Sequence, residues 1–396
     1  MAKYPRIREQ HIAVFGESGA GKTVLVSSFF GPTQEGSYSN DLWDLVADDT
    51  GQGNRLYKNY VGMRDHATVP DQTRFAATTY YFSVKLKGAG YAAAKRRPFD
   101  TLRLAWHDYP GEWFEESPSS AEEANRRVDT FRSLLRSDVA LLLVDGQKLL
   151  DHKGEEERYL KSLMTNYRQG VLRLREDLLA GDDRIVEFPR IWILALSKAD
   201  LFPDWDVYSF RDLVIGKAAE HIDDLHVTLK DLVDTPEALS MGEDFMLLSS
   251  AKFELSSVDA EPAEIDVTKR VGLGLILPVA SLLPLERRVQ WSERMEIPRK
   301  VLDTLADGAE TLAAVLVGGQ LLRVDKLVAK IPRVGPFASK AAIPALLAAV
   351  KLAESQLRQI NVKAREDHDY LTAMLTQFKL DLEEGVTDKL LVRSLK

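Results

Sequence analysis

The sequence predicts an α/β protein: a doubly wound, mostly parallel sheet followed by a C-terminal α-helical domain. Three observations predict it. Short apolar runs suited to buried strands alternate with helical stretches along residues 1–257. The first run, His11–Phe15, ends at a glycine-rich turn that leads directly into a helix. Beyond residue 257 the pattern changes to a Pro-punctuated apolar connector (258–297) and then to helical spacing over 298–396. The expected domains follow those boundaries.

Taken in order, Thr23–Phe30 continues the glycine-rich turn as a helix. Residues 31–70 are polar and rich in Gly, Asp and Asn, which reads as an insertion holding a short helix around Asn54–Met63. Thr78–Lys87 alternates aromatic and polar residues and is expected to pair with Thr101–His107 as a hairpin. Its connection, Gly88–Pro98, carries Lys95, Arg96 and Arg97, a basic tip that reads as a solvated loop. Asp138–Asp145 is a continuous apolar strand of the kind covered on both faces in a parallel sheet. A long charged helix is expected over 154–179. Ile191–Leu196 and Phe245–Leu248 are two more buried strands, separated by a helical stretch at Tyr208–Leu232.

Composition narrows the function classes. The chain of 396 residues has no cysteine, which excludes a disulfide framework, a Cys-ligated zinc site and thiol catalysis. Its net charge of −8 argues against a nucleic-acid surface over the whole protein. The longest uncharged runs, 15 residues (Val271–Leu285) and 12 residues (Thr311–Leu322), fall short of a membrane span. The N-terminus has no apolar signal core. A cytoplasmic protein is therefore expected, with peripheral attachment to a membrane as the alternative.

Gly16-Glu-Ser-Gly-Ala-Gly-Lys-Thr23 matches G-x-x-x-x-G-K-[ST] between a strand and a helix. Glycines at this spacing let backbone N–H groups wrap phosphates at the positive end of a helix. Lys22 is placed to neutralise β/γ-phosphates and the Thr23 hydroxyl to ligate Mg²⁺. The octapeptide alone does not choose the base, since myosin-type ATPases share it. Asp108-Tyr-Pro-Gly111 closes the strand Leu102–His107: the carboxylate can hold Mg²⁺ through water, and the Gly111 N–H can meet the γ-phosphate. Ser197-Lys-Ala-Asp200 ends a later strand and is similar to the [N/T]-K-x-D guanine motif, with Ser in place of Asn. A buried carboxylate awaiting two donors favours guanine over adenine. Ser249-Ser-Ala-Lys252 looks like the S-A-K segment that meets the guanine O6. His107 precedes Asp108, but strand alternation turns it to the other face, so it reads as structural.

Residues 1–257 resemble the Ras-like, translation-factor-related class of P-loop GTPases. Within it, Asp108-Tyr-Pro-Gly-Glu-Trp113 is similar to YcjX-like proteins and to the bacterial double-GTPase families linked to conflict systems. The resemblance implies GTP or GDP with Mg²⁺ as ligands. It implies phosphate contacts from Gly16, Glu17, Ser18, Gly19, Ala20, Gly21 and Lys22, and a γ-phosphate contact from Gly111. Guanine contacts are implied for Lys198, Asp200 and the Ser250-Ala251-Lys252 segment. Metal ligation is implied for Thr23, Asp108 and a switch threonine, taken as Thr73 with Thr78 and Thr79 as rivals. Glu112 stands where many such GTPases place a water-orienting Gln; it either orients the water or is repelled by the γ-phosphate. Arg74 is a candidate arginine finger. Gly19 stands where potassium-activated relatives carry Asn or Ser, which counts against potassium dependence.

The C-terminal region is not covered by that resemblance. Arg323–Lys351 carries six Lys/Arg against Asp325 alone, a net +5 in 29 residues. Such a basic amphipathic segment can form its own bundle core, dock on a protein partner or lie on an anionic membrane. The expected function is a regulatory GTPase that hydrolyses GTP slowly and passes its nucleotide state to these helices. A dynamin-like mechanical GTPase or ATPase acting on membranes or oligomers, and a nucleotide-holding scaffold without turnover, are the alternatives.

Overall fold

The computed structural model describes residues 7–70, 77–87, 99, 101–115, 120–173, 175–179, 191–233, 236, 239–255, 262–284, 286–287 and 354–394. The elements in chain order are β1 (Ile7–Phe15), α1 (Lys22–Phe30), β2 (Trp43–Ala47), α2 (Thr50–His66), β3 (Thr78–Leu86), β4 (Thr101–Asp108) and the single turn α3 (Glu112–Glu115). They continue with α4 (Ala121–Leu135), β5 (Val139–Asp145), α5 (Gly146–Asp151), α6 (Glu156–Arg173), β6 (Ile191–Ser197), α7 (Val207–Lys230) and β7 (Ser240–Leu247). The hairpin β8 (Lys252–Leu255) and β9 (Pro262–Asp266) is followed by α8 (Ile276–Ser281), α9 (Glu354–Glu366), α10 (Tyr370–Thr387) and β10 (Leu391–Val392).

One sheet of eight strands runs β10-β7-β6-β5-β1-β4-β3-β2. The five from β7 to β4 are parallel, and β3, β2 and β10 join as antiparallel edges. The doubly wound sheet expected from the sequence is therefore present. Its two faces can be read from strand alternation. Ile12 and Val14 of β1, Leu141 and Leu143 of β5, and Ile191 and Ile193 of β6 enter one core. Ala13, Phe15, Leu142, Val144, Trp192 and Leu194 enter the other. The second face is covered by α4, α6 and α7. The stripe Tyr159, Leu160, Leu163, Met164, Tyr167 and Val171 shows why α6 lies there: these positions repeat at three to four residues on one side of the helix.

The first face is covered by α1, α8 and α10. Ile276, Val279, Leu283, Met374, Leu375, Phe378 and Leu382 share the core of Ile12 and Val14. β10 then pairs with β7, Leu391 opposite Met246. Buried ion pairs secure this return: Arg287 with Asp244, and Glu286 with both Lys379 and Arg393. The division expected at residue 257 thus runs between segments that share one sheet and one apolar core. The reason is that α8 and α10 bury their apolar faces on the sheet. The stretch expected to be a connector also contains β9, and Val271 bridges Ser249.

The insertion is more structured than its composition suggests. Its helix α2 spans Thr50–His66, with the Asp49 carboxylate accepting from Gln52 N–H at 2.7 Å. It also supplies the edge strand β2, whose Trp43 meets Phe378 of α10. The basic tip at Lys95–Arg97 and the basic segment Arg323–Lys351 lie outside the described residues.

Candidate functional site

The chain order folds so that β1 is flanked by β4 on one side and β5 on the other. The strand order reverses there, and the C-terminal ends of these strands open onto the crevice where doubly wound sheets bind ligands.

The glycine-rich loop leaves β1 at Gly16. Gly19 and Gly21 hold φ of 81° and 86°, which side chains with a Cβ rarely adopt, and Gly21 caps α1. The Lys22 ammonium folds back onto the loop, donating to the Gly16 carbonyl at 2.7 Å and the Glu17 carbonyl at 3.0 Å. It also lies 5.2 Å from the ring centre of Tyr109. The Tyr109 hydroxyl accepts from Gly16 N–H at 2.7 Å. The second residue of the Asp-x-x-Gly segment thus pins the start of the loop.

Asp108 ends β4 and is 1% exposed. Its Oδ2 accepts from the Thr23 hydroxyl at 3.3 Å, while Oδ1 is buried and meets no hydrogen-bond partner among the described residues. Burial pushes its carboxyl up to about 6, against the opposing pull of Lys22 and Thr23. A buried carboxylate oxygen beside a hydroxyl is the donor set a hard cation takes. Gly111 packs on the glycine-rich loop so closely that a Cβ there would lie 2.3 Å from Ser18 N. The next residue, Glu112, accepts from the Ser18 hydroxyl at 2.8 Å. Ser18, Lys22, Thr23, Tyr109, Gly111 and Glu112 line a cavity of about 140 Å³.

An adjoining cavity of about 240 Å³ shares Gly19 and Gly21 and extends to the ends of β6 and β7. There Ser197 donates to the Val144 carbonyl at 3.3 Å, so the residue in the Asn position is tied to β5. Lys198 adopts φ 55°, and its ammonium reaches Asp145 at 2.8 Å. Asp200 Oδ1 accepts from the Ser249 hydroxyl at 2.6 Å. Ser250 and Ala251 complete the wall with Phe253, whereas Lys252 opens β8 with an exposed side chain and does not line the cavity.

The structure therefore brings together two groups that lie far apart in the chain, Gly16–Thr23 with Asp108–Glu112, and Lys198–Asp200 with Ser249–Ala251. Thr73 and Arg74 lie outside the described residues. Of the rivals, Thr78 starts β3 opposite Asp108, and Thr79 is engaged with the His107 ring at 3.0 Å. The His107 ring also meets His11 at 3.0 Å. Burial, with His11 beside it, lowers it to about 4, which fits a neutral structural histidine. Sequence reasoning passed over Tyr109, Asp145, Lys148 and the Ser249 hydroxyl. The acid closing the apolar run Leu141–Asp145 was the available signal for one of them.

Residues 10–214 match the family model described as Double-GTPase 2, more than half of the chain. The chain belongs to the Double-GTPase 2 family. The matched span takes in the glycine-rich loop, Asp108–Trp113 and Ser197–Asp200, and ends within α7, before Ser249. This P-loop GTPase of the double-GTPase type therefore carries its Ser-Ser-Ala-Lys segment beyond the family match. A search of curated proteins returns no match. Among the described residues, no helix is long and apolar enough to cross a membrane.

Proposed function

We propose that this double-GTPase family protein binds guanine nucleotides with Mg²⁺, hydrolyses GTP slowly and passes its nucleotide state to its C-terminal helices. The observation that carries the reading is the convergence of phosphate-type and base-type groups on two adjoining cavities at the sheet's switch point.

In this reading each residue has a task. The backbone of Gly16–Thr23 surrounds the phosphates at the N-terminus of α1, and Lys22 leaves its loop carbonyls to neutralise them. Thr23 would hold Mg²⁺ directly and Asp108 through water, which would give a partner to the Asp108 oxygen that has none among the described residues. When bound, Mg²⁺ supplies charge neutralisation across the phosphates. Gly111 offers its N–H toward the terminal phosphate. Glu112 orients the attacking water. Asp200, held by Ser249, reads the guanine edge while the Lys198 stem packs on the base.

The packing of the chain's end supports transmission. Val207 N–H, at the start of the helix after the base loop, donates to the Lys389 carbonyl at 2.9 Å, and Asp206 pairs with Lys389 at 3.1 Å. The test is chromatographic identification of the nucleotide that co-purifies, with calorimetry on Lys22→Ala. The expected result is guanine nucleotide in the parent and greatly weakened binding in the variant. Equal affinity for ATP and GTP, or undiminished triphosphate binding by Lys22→Ala, would overturn the reading.

A further inference from the structure

The two halves of the site are joined by a corner that no recognised motif covers. β5 ends at Asp145, paired beside Ser197 of β6, and α5 starts at Gly146. Both Asp145 oxygens meet the Lys198 ammonium, at 2.8 and 2.9 Å. The carboxylate is 2% exposed and also accepts from Gln147 N–H at 2.9 Å. Its backbone N–H donates to the Tyr159 hydroxyl at 3.1 Å. Gly146 lets the base loop approach: a Cβ there would lie 2.5 Å from the Ser197 carbonyl oxygen and 3.0 Å from that of Lys198. Gln147 lines the base cavity.

One residue further on, the corner turns to the phosphate loop. The Lys148 ammonium pairs with Glu17 Oε2 at 3.0 Å. The main-chain carbonyl of that same Glu17 accepts from Lys22 at 3.0 Å and from Ala20 N–H at 3.2 Å. The side chain that Lys148 grips thus belongs to the residue on which the loop folds.

We infer that Asp145-Gly146-Gln147-Lys148 is a positioning element of the nucleotide site: Asp145 fixes Lys198, Lys148 fixes Glu17, and together they set the spacing between base loop and phosphate loop. The inference rests on the guanine-nucleotide reading. Lys198 is half-buried on a four-carbon stem, and without a fixed anion its stem would sample many rotamers. Holding it beforehand removes that ordering cost from binding. Asp145 and Lys148 act through other residues, so their loss falls on affinity rather than on the chemical step.

The experiment uses the full chain and a fluorescent GDP, with the parent measured first. Asp145→Asn keeps the helix cap, since Asn caps as well as Asp, and removes only the charge. It should weaken GDP by about tenfold, the scale of one charge-assisted hydrogen bond. The loss should appear in KM for GTP with far less change in kcat. In a Lys198→Met background the same substitution should change the dissociation constant by less than about twofold, as expected for coupled partners. Lys148→Gln, at a partly exposed amine, repeats the test against Glu17→Gln and serves if the Asp145 variant does not fold. Losses of equal size with and without the partner would overturn the inference, as would parent-like affinity in folded variants. A parent that binds no guanine nucleotide would overturn the functional reading as well.

Discussion

The Ser18 hydroxyl donates to Glu112 Oε1 at 2.8 Å, linking the phosphate loop to the residue that follows Asp-x-x-Gly. The link fixes where the carboxylate stands, at the rim of the cavity lined by Lys22 and Thr23. A positioned carboxylate can orient water, and a general base of this kind is worth roughly 10²-fold or more in rate. Glu112→Ala should therefore lower single-turnover phosphate release by about 10²-fold. Ser18→Ala should lower it by about five- to tenfold while GDP affinity stays within about twofold, the scale of one hydrogen bond that orients rather than binds. Parent-like phosphate release by Ser18→Ala would show that the contact has no part in hydrolysis.

Gly111 offers a test of the proposed nucleotide response that depends on shape alone. A Cβ at this position meets the backbone of Glu17 and Ser18 at 2.3–2.7 Å, and backbone cannot yield as a flexible side chain can. Gly111→Ala should push the Asp108–Glu112 segment off the loop, keeping GDP binding and losing about 10²-fold or more in GTP turnover. Fluorescent-GDP titration beside phosphate release separates the two. Full turnover in the variant would show that the close packing is not needed for hydrolysis.

In the proposed reading base choice rests on Asp200, which accepts from the Ser249 hydroxyl at 2.6 Å. A site built to pair both guanine donors rejects a base lacking them, and about 10²-fold preference for GDP over ADP is expected. Asp200→Asn should shift the preference toward xanthosine diphosphate, and Ser249→Ala should cost several-fold in GDP affinity with the guanine preference reduced. Competition of each nucleotide against fluorescent GDP measures this. An unchanged ranking in Asp200→Asn would remove Asp200 from base recognition.

What was legible in the sequence was local. The runs at β1, β5 and β6 are buried on both faces, so they read as apolar strands without any knowledge of their neighbours. The glycine-rich octapeptide carries its own backbone requirements at Gly19 and Gly21. β2 was missed because only Trp43, Leu45 and Ala47 face inward, too short an alternation to stand out from a polar stretch. The two-residue β10 exists only through pairing with β7, distant in sequence, and the same long-range docking of α10 joins regions that composition divides at residue 257. Asp145 and Lys148 were passed over for a related reason. Each matters through a partner on another strand or loop, and spacing along the chain does not encode that.

The acid response of the chain's end has a definite sign. The Asp206 carboxyl is held down to about 2, first by Ser209 N–H at the start of α7 and then by Lys389. Its folded value lies below the ordinary carboxylate value near 3.8. The stabilisation it gives is therefore full above about pH 4 and is lost as pH falls through about 2. Asp206→Ala should melt below the parent at pH 7, and the gap between them should narrow at pH 3. Hydrogen exchange at α10 and β10 should rise in the variant, because Lys389 loses its anion. A gap that widens on acidification would contradict the assignment.

Trp113 reports on the segment that follows Gly111. An indole that moves between water and a packed contact changes its emission, and the structure describes this one in a packed position. Trp113 is 7% exposed, with the Arg127 guanidinium 5.5 Å from its ring centre. Arg127 donates to the Trp113 carbonyl at 3.1 Å and is itself paired to Glu123, one turn earlier on α4. α4 thus clamps the segment through one guanidinium, combining a cation–π contact with two kinds of hydrogen bond. Arg127→Ala should loosen the clamp and shift Trp113 emission to the red, as its ring meets water. Trp106 is fully buried on β4 and Trp192 nearly so, so both contribute a constant background. If GTP draws Gly111 inward against this clamp, the diphosphate and non-hydrolysable triphosphate forms should differ in emission. Trp113→Phe should remove most of that difference and Trp106→Phe little. Identical spectra in the two forms, with identical proteolysis over residues 108–125, would mean that this segment does not switch, and the static scaffold would then be the better account.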